Sequence, residues 1–403
     1  MPSVMRMQPF RRCAVARGRY TGRFAGQSIA QDTLGRSYAT KTNAQEYLRS
    51  SNARNEYVRL DNRACLEIEG PEAIKFLQGL TTNQMLNIER GGDGVLAAFL
   101  SPQGRVLFDA FIYPKNVNQT FPHPAFLVES AEASLPGLHA HLKRFLLRTK
   151  AKITPQSDWR VWQAWGPQSK QLWGGTFVPK SGSSTPAGSV LAKNSFVDNG
   201  LKDCRHPEFG VRFLMKGDAV PPLPPNFIQV APEEYKIRRL LAGIPEGPDD
   251  FFHAASLPLE SNFDYMHGVD FRKGCYLGQE LTIRTYHTGV TRKRIVPVQL
   301  YTDTESAPDQ QSIDTEFNVP LPTTGSDIVL VGDSESKPTR RKASSGGTSV
   351  GKFCSGIHNV GLALLRLDHV GALKDGQELV CENGLKLKAY VPEWWPAPIG
   401  EQS

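Results

Sequence analysis

The sequence predicts an α+β protein that ends in an all-β region. Strand-like and helix-like segments are interleaved up to about residue 288 without strict βα alternation. The remainder is β-patterned and closes on Asn383-Gly384, a strong hairpin signal between Leu379–Cys381 and Leu385–Leu387. At 403 residues, with 39% hydrophobic and 22% charged side chains, the chain is long enough for two or three domains and apolar enough to fill their cores.

Ahead of the first element, residues 1–41 carry Arg6, Arg11, Arg12, Arg17, Arg19, Arg23, Arg36 and Lys41 against one acid, Asp32. They account for the whole formal charge of +7, so residues 42–403 are neutral. An Arg-rich, Ser- and Thr-bearing, acid-poor N-terminus has the composition of a mitochondrial transit peptide, with a processing neighbourhood at Arg36-Ser37-Tyr38-Ala39. The expected address is the mitochondrial matrix. A neutral body leaves no footprint for phosphate backbones, which excludes a nucleic-acid partner. No run approaches 18 apolar residues, so no membrane span is expected. Cys13, Cys65, Cys204, Cys275, Cys354 and Cys381 form no CxxC pair; such scattered thiols suit a reducing compartment and give no stand-alone metal site.

Within the body, Ala64, Leu66 and Ile68 alternate with polar neighbours and read as a half-buried strand. Gly70-Pro71 opens a helix whose Ala73, Phe76, Leu77 and Leu80 share a face, with Glu72 at its positive end. Residues 94–100 and 105–113 form a hairpin through Ser101-Pro102-Gln103-Gly104, the chemistry of a type I turn. Leu135, Leu138, Leu142, Phe145 and Leu146 mark the next helix, and β-rich sequence runs from Ile153 to Trp165. Pro221–Pro225 is a stiff connector, and a helix from Pro232 holds Ile237, Leu240 and Leu241 before Gly243 ends it. Residues 167–195 and 301–352 are rich in Ser, Thr, Gly and Pro with weak periodicity, and read as insertions or mobile loops.

The densest chemistry lies in Gly268–Leu281. Gly274 and Gly278 bracket Cys275 and Tyr276, and Lys273 stands two residues before the sulfur. Glycines there allow a tight loop, and a converging Lys273 lowers a thiol pKa; a buried, inert cysteine in a structural turn is the equal alternative. Lys273, Gly274, Cys275, Tyr276, Gly278, Gln279 and Glu280 resemble the KGCYxGQE signature of the mitochondrial iron–sulfur assembly factors related to the glycine cleavage system T-protein. The similarity extends to Phe76–Asn83, Gln103–Asp109, Tyr235, Arg239, Gly243–Gly247, Leu257–Asn262 and Arg284–Val290.

That resemblance implies a T-protein-like folate-binding fold around a central cavity. Residues 42–120 and 205–288 would form a discontinuous folate-binding-like domain, 121–204 an inserted ferredoxin-like domain with loop 167–195, and 289–403 a C-terminal β-barrel with mobile loop 301–352. It further implies maturation of 4Fe–4S client enzymes together with A-type carrier proteins of the matrix. Tetrahydrofolate is an implied ligand, with Asp109, Arg105 and Asn83 as folate-binding candidates. Cys275 is the candidate reactive residue with Lys273, and a metal ligand only through a 4Fe–4S or 2Fe–2S cluster shared with a partner, because a cluster takes four protein ligands.

The competing reading is a tetrahydrofolate-dependent aminomethyl or one-carbon transferase, with an acid managing proton movement at the pterin. Transferase relatives carry an Asp-Asp pair where this chain has Phe108-Asp109. A third reading is a cysteine nucleophile with His267 or His287 as base. Arg105 and Arg212 fit either a carboxylate ligand or a structural ion pair, and Glu280 is expected to satisfy backbone donors around the signature loop.

Overall fold

The computed structural model describes residues 41–117, 121–173, 196–332, 348–371, 373–374 and 376–396. Residues 1–40 of the expected transit peptide and residues 174–195 of the expected loop lie outside the described residues. The first half contains β1 (Lys41–Asn43), α1 (Ala44–Asn52), β2 (Glu56–Arg59), β3 (Arg63–Glu69), α2 (Ala73–Leu80), β4 (Val95–Leu100), β5 (Val106–Pro114), β6 (Ala125–Ala131), α3 (Leu135–Leu146), β7 (Lys152–Gln156) and β8 (Trp159–Trp165). There follow α4 (Ser169–Leu172), β9 (Asn199–Lys202), β10 (Val211–Lys216), β11 (Ile228–Gln229), α5 (Pro232–Leu241) and α6 (Gln279–Thr288). The last region holds β12 (Lys293–Tyr301), β13 (Ser312–Asp314), β14 (Asp327–Val331), β15 (Thr348–Ile357), β16 (Val360–Arg366), β17 (Glu378–Cys381) and β18 (Lys386–Ala389).

One five-stranded sheet runs β4-β5-β6-β3-β7 and a second runs β11-β2-β8-β10-β9. Ala73, Phe76, Leu77 and Leu80 of α2 and Leu138 and Leu142 of α3 cover one face of the first sheet, against Leu66, Ile68, Phe99, Phe108 and Val128. These are the faces that the helical periodicity predicts. Gly104 N–H bonds Ser101 O at 2.9 Å, closing the β4–β5 turn. Strand β3 is not half-buried, however. Arg63, Cys65 and Glu67 on its other face are also buried, because the second sheet covers them. The domain boundaries differ too: β6 pairs with β3 and β5, and β7 with β3, so residues 121–156 complete the first sheet. Strands β9 and β10 pair across the expected boundary at 204.

Between the sheets lies a cluster of ion pairs. Arg63 of β3 donates to Glu129 of β6 at 2.7 Å and to Asp109 of β5 at 3.1 Å. Arg212 of β10, on the facing sheet, donates to the same Glu129 at 2.6 Å and to Glu246 at 3.2 Å. Arg205 bridges Asp203 and Glu246 at 2.7 and 2.6 Å, and the Tyr235 hydroxyl of α5 donates to Glu246 at 2.7 Å. The Phe111 ring lies 4.5 Å from the Arg212 guanidinium and 4.8 Å from that of Arg205. Burial alone raises a carboxyl pKa, but Arg212 and Arg63 hold Glu129 below its usual range, and Arg212 and Arg205 hold Glu246 well below it.

Strands β12-β16-β15-β14-β17-β18 close into a barrel around Val296, Val298, Leu330, Phe353, Leu365 and Leu379. Residues 301–352, expected as a loose loop, therefore contribute barrel strand β14 and also β13, which pairs antiparallel with β1 with Lys41 opposite Asp314. Residues 333–347 of that segment lie outside the described residues. Arg294 of β12 ties the barrel to the chain before the signature, donating to Asp264 at 2.8 and 2.9 Å and to Leu259 O at 2.7 Å. Trp394 donates to Ala242 O at 2.7 Å, which anchors the C-terminal segment on the end of α5. Among the described residues no helix is long and apolar enough to cross a membrane.

Replacing Arg212 with Met takes one of its guanidinium partners from each of two buried carboxylates, so the unfolding free energy in urea should fall by about 3–5 kcal/mol. The exposed Arg366→Met, which breaks a surface pair with Asp368, should change it by less than about 1 kcal/mol. Because Glu129 and Glu246 sit below the ordinary value of 4.5, their stabilisation is complete above that pH. It should be lost as acidification passes through the depressed values.

Candidate functional site

The loop from Gly268 to Gly278 is laced to residues 78–83 at the end of α2. Asp270 N–H donates to Thr82 O and Leu277 N–H to Gly79 O, both at 3.0 Å. Thr82 Oγ1 donates to Gly268 O at 2.6 Å, and Asn83 Nδ2 to His267 O at 2.8 Å. Lys273 Nζ donates to the carbonyls of Gln78 at 2.9 Å, Asn83 at 2.8 Å and Thr81. Those carbonyls end a helix, where the backbone dipole favours a cation. The ammonium also lies 4.8 Å over the Tyr276 ring. Burial pushes the Lys273 pKa down to about 7, with Asp270 acting in the opposite direction.

The other end of the loop rests on the β4–β5 turn. Gly278 adopts φ +78°, and a Cβ there would lie 2.2 Å from Ser101 O. Gly104 in the turn adopts φ +76°, and its Cβ would lie 2.8 Å from Gly278 O. Neither position tolerates a side chain. Gln279 Oε1 accepts from Tyr276 N–H at 3.2 Å, and Asp270 accepts from Arg272 N–H at 2.7 Å. Glu280 does not serve the loop's backbone as expected. It is exposed in the first turn of α6, where its charge complements the helix end.

This frame presents Cys275. Its side chain is exposed and makes no hydrogen bond or ion pair among the described residues, and the space a Cβ at Gly274 would occupy is empty. The other described thiols are different. Cys65, Cys354 and Cys381 are buried, and burial raises Cys204 and Cys381 to about 12. The buried-turn alternative for Cys275 is thus replaced by an open thiol. The expected pairing of Lys273 with that thiol gives way to an anchoring role, since the ammonium serves three carbonyls. His267 and His287 are exposed and neither contacts Cys275, so no nucleophile–base pair forms.

The folate candidates are not brought together. Asp109 is only 5% exposed and its carboxylate is paired with Arg63. Arg105 donates to Ala255 O at 2.9 Å, and Asn83 holds Leu96 O and His267 O. A cavity of about 690 Å³ lies elsewhere, lined by Cys204, His206, Tyr265, His267 and Trp394, and none of the three candidates lines it. An acid sealed against an arginine does not fit a pterin's reacting nitrogen. Calorimetric titration with tetrahydrofolate should therefore give the same isotherm for the wild type and Asp109→Asn.

Arg63, Glu129, Asp203 and Arg205, which organise the interior, belong to no motif of the sequence. The available signal was charge at inward strand positions: Arg63 and Glu129 lie opposite apolar neighbours of the same strands. The anchoring role of Lys273 also has a direct check. Lys273→Met should cost about 1–3 kcal/mol by leaving buried carbonyls without a donor, and hydrogen exchange should speed up across residues 270–278.

Residues 292–397 match the family described as "CAF17, C-terminal beta-barrel domain". Iron–sulfur cluster assembly factor IBA57 homologues, named mitochondrial, are similar over most of their length. The Aspergillus fumigatus protein is 40% identical over 86% of this chain and 83% of its own. That of Mycosarcoma maydis is 35% identical over 84% of each chain. The structure of glycine cleavage system aminomethyltransferase T from Bartonella henselae has the same fold, with a TM-score of 0.54 at 13% identity over 87% of this chain and 89% of that one. On these matches and this loop, the chain belongs to the IBA57 family of mitochondrial iron–sulfur cluster assembly factors.

Proposed function

We propose that the protein works in the mitochondrial matrix to mature 4Fe–4S enzymes, offering Cys275 as one ligand of a 4Fe–4S or 2Fe–2S cluster shared with an A-type carrier protein. The observation that carries this reading is the exposure of one thiol on a loop fixed at both ends. A cluster takes four protein ligands, and among the described residues no group of His, Cys, Asp or Glu could hold a metal. The remaining ligands then come from the carrier, and the cluster is cargo. A rigid loop suits that task because the thiol meets a partner without first paying for its own ordering. Folate-dependent transfer gains no support from Asp109, whose carboxylate is committed to Arg63.

Cys275→Ser removes a soft ligand at an exposed position, so melting temperature and soluble yield should stay at wild-type values. Mitochondria carrying the variant should lose 4Fe–4S enzyme activity. Anaerobic reconstitution with an A-type carrier should give a stable, coloured heterocomplex with the wild type and none with the serine variant. A coloured complex of equal yield with Cys275→Ser would refute the ligand role.

A further inference from the structure

We propose that the turn after α3 is a peripheral membrane-docking surface, with Leu147 entering an anionic lipid bilayer between Lys143, Arg144, Arg148 and Lys150. Residues 133–157 contain Lys143, Arg144, Arg148, Lys150 and Lys152 and no acid, within a body that is formally neutral. All five cations are exposed. The side chains of Lys143, Arg144 and Arg148 have no ion pair or hydrogen bond among the described residues, while Lys152 has a surface partner, Glu69, at 3.5 Å.

The second observation is Leu147. It is 87% exposed and holds φ +40°, ψ −112°, a backbone state that an aliphatic residue adopts only under constraint. Phe145 and Leu146 pack on the core beneath it, and Lys150 O accepts from Glu72 N–H at 3.3 Å while Lys150 N–H donates to Glu72 at 2.6 Å. The turn is therefore pinned at its base and its tip faces solvent. Cations in the last turn of α3 are accounted for by the helix dipole. Arg148, Lys150 and Lys152 lie beyond the helix, and the dipole explains neither them nor an exposed leucine among them. An acidic protein or a polyphosphate satisfies the charges but makes no use of the aliphatic tip. A bilayer with anionic headgroups uses both.

The test is sedimentation of the full chain with vesicles of phosphatidylcholine alone, or with about 30% phosphatidylglycerol added to supply surface charge. Binding should require the anionic lipid and weaken with salt. Arg144→Gln with Arg148→Gln should lower the partition coefficient by about 25-fold, at about five-fold per charge. Leu147→Gln should lower it about ten-fold while leaving binding to soluble polyglutamate unchanged. Unaltered vesicle binding in all variants, as the Arg-rich residues 1–41 alone would produce, overturns the proposal. So does charge dependence without any effect of Leu147→Gln, which would leave only a basic patch that any anionic surface attracts.

Discussion

The structure depends on a charge problem solved in its interior. Glu129, buried in the centre of one sheet, is shared by Arg63 beside it and Arg212 from the facing sheet. An unpaired carboxylate at that depth costs several kcal/mol, so the two sheets are held at the separation and register that let both guanidinium groups reach it. Glu246 extends the constraint. It accepts from Arg205, Arg212 and Tyr235, which fixes α5 and the turn after it against the sheets. Arg239 of α5 pairs with Asp250, and Ser355 of the barrel donates to Asp250 at 2.6 Å. One connected polar lattice thus links both sheets, the central helix and the barrel.

The signature loop gains its rigidity from the same body. Its partners are the end of α2 and the β4–β5 turn, both built on the first sheet. The segments that resemble the assembly-factor family, Phe76–Asn83, Gln103–Asp109 and Gly268–Leu281, are far apart in the chain. In the fold they form one contact surface around Lys273, Gly104 and Gly278. Their joint presence in the sequence reflects this: each is the other's packing partner. The thiol stands at the outer edge of that surface, where only geometry restrains it.

Helices α2, α3 and α5 and the β4–β5 hairpin are legible in the sequence because their information is local: apolar spacing, a Pro at the start, a turn glycine. The partition of strands between sheets is not, since β3 with β6 and β2 with β8 pair across long separations that periodicity does not encode. Strand β3 shows the cost of reading one face alone. Leu66 and Ile68 announce a core, while Arg63 and Glu67 look solvent-facing until a second sheet covers them. The ion pair of Asp109 and the anchoring bonds of Lys273 are not legible in the sequence, because each is made to a partner distant in the chain, Arg63 for one and the α2 carbonyls for the other. Strand β14 was hidden by its setting, five residues within a stretch diluted by Gly, Ser and Thr.

The pairing of β1 with β13 has a temporal consequence. Lys41 lies opposite Asp314, and Asn43 opposite Ser312, so the first described strand finds its partner some 270 residues later. A chain that enters a compartment N-terminus first delivers β1 early and β13 late. Until most of the polypeptide has crossed, β1 has exposed edges and α1 lacks its final seat, a long-range closure that is slow by its topology. The last step of folding is then a seam between the first strand to arrive and one of the last, and a chaperone that shields the leading segment would have to stay until the barrel is through.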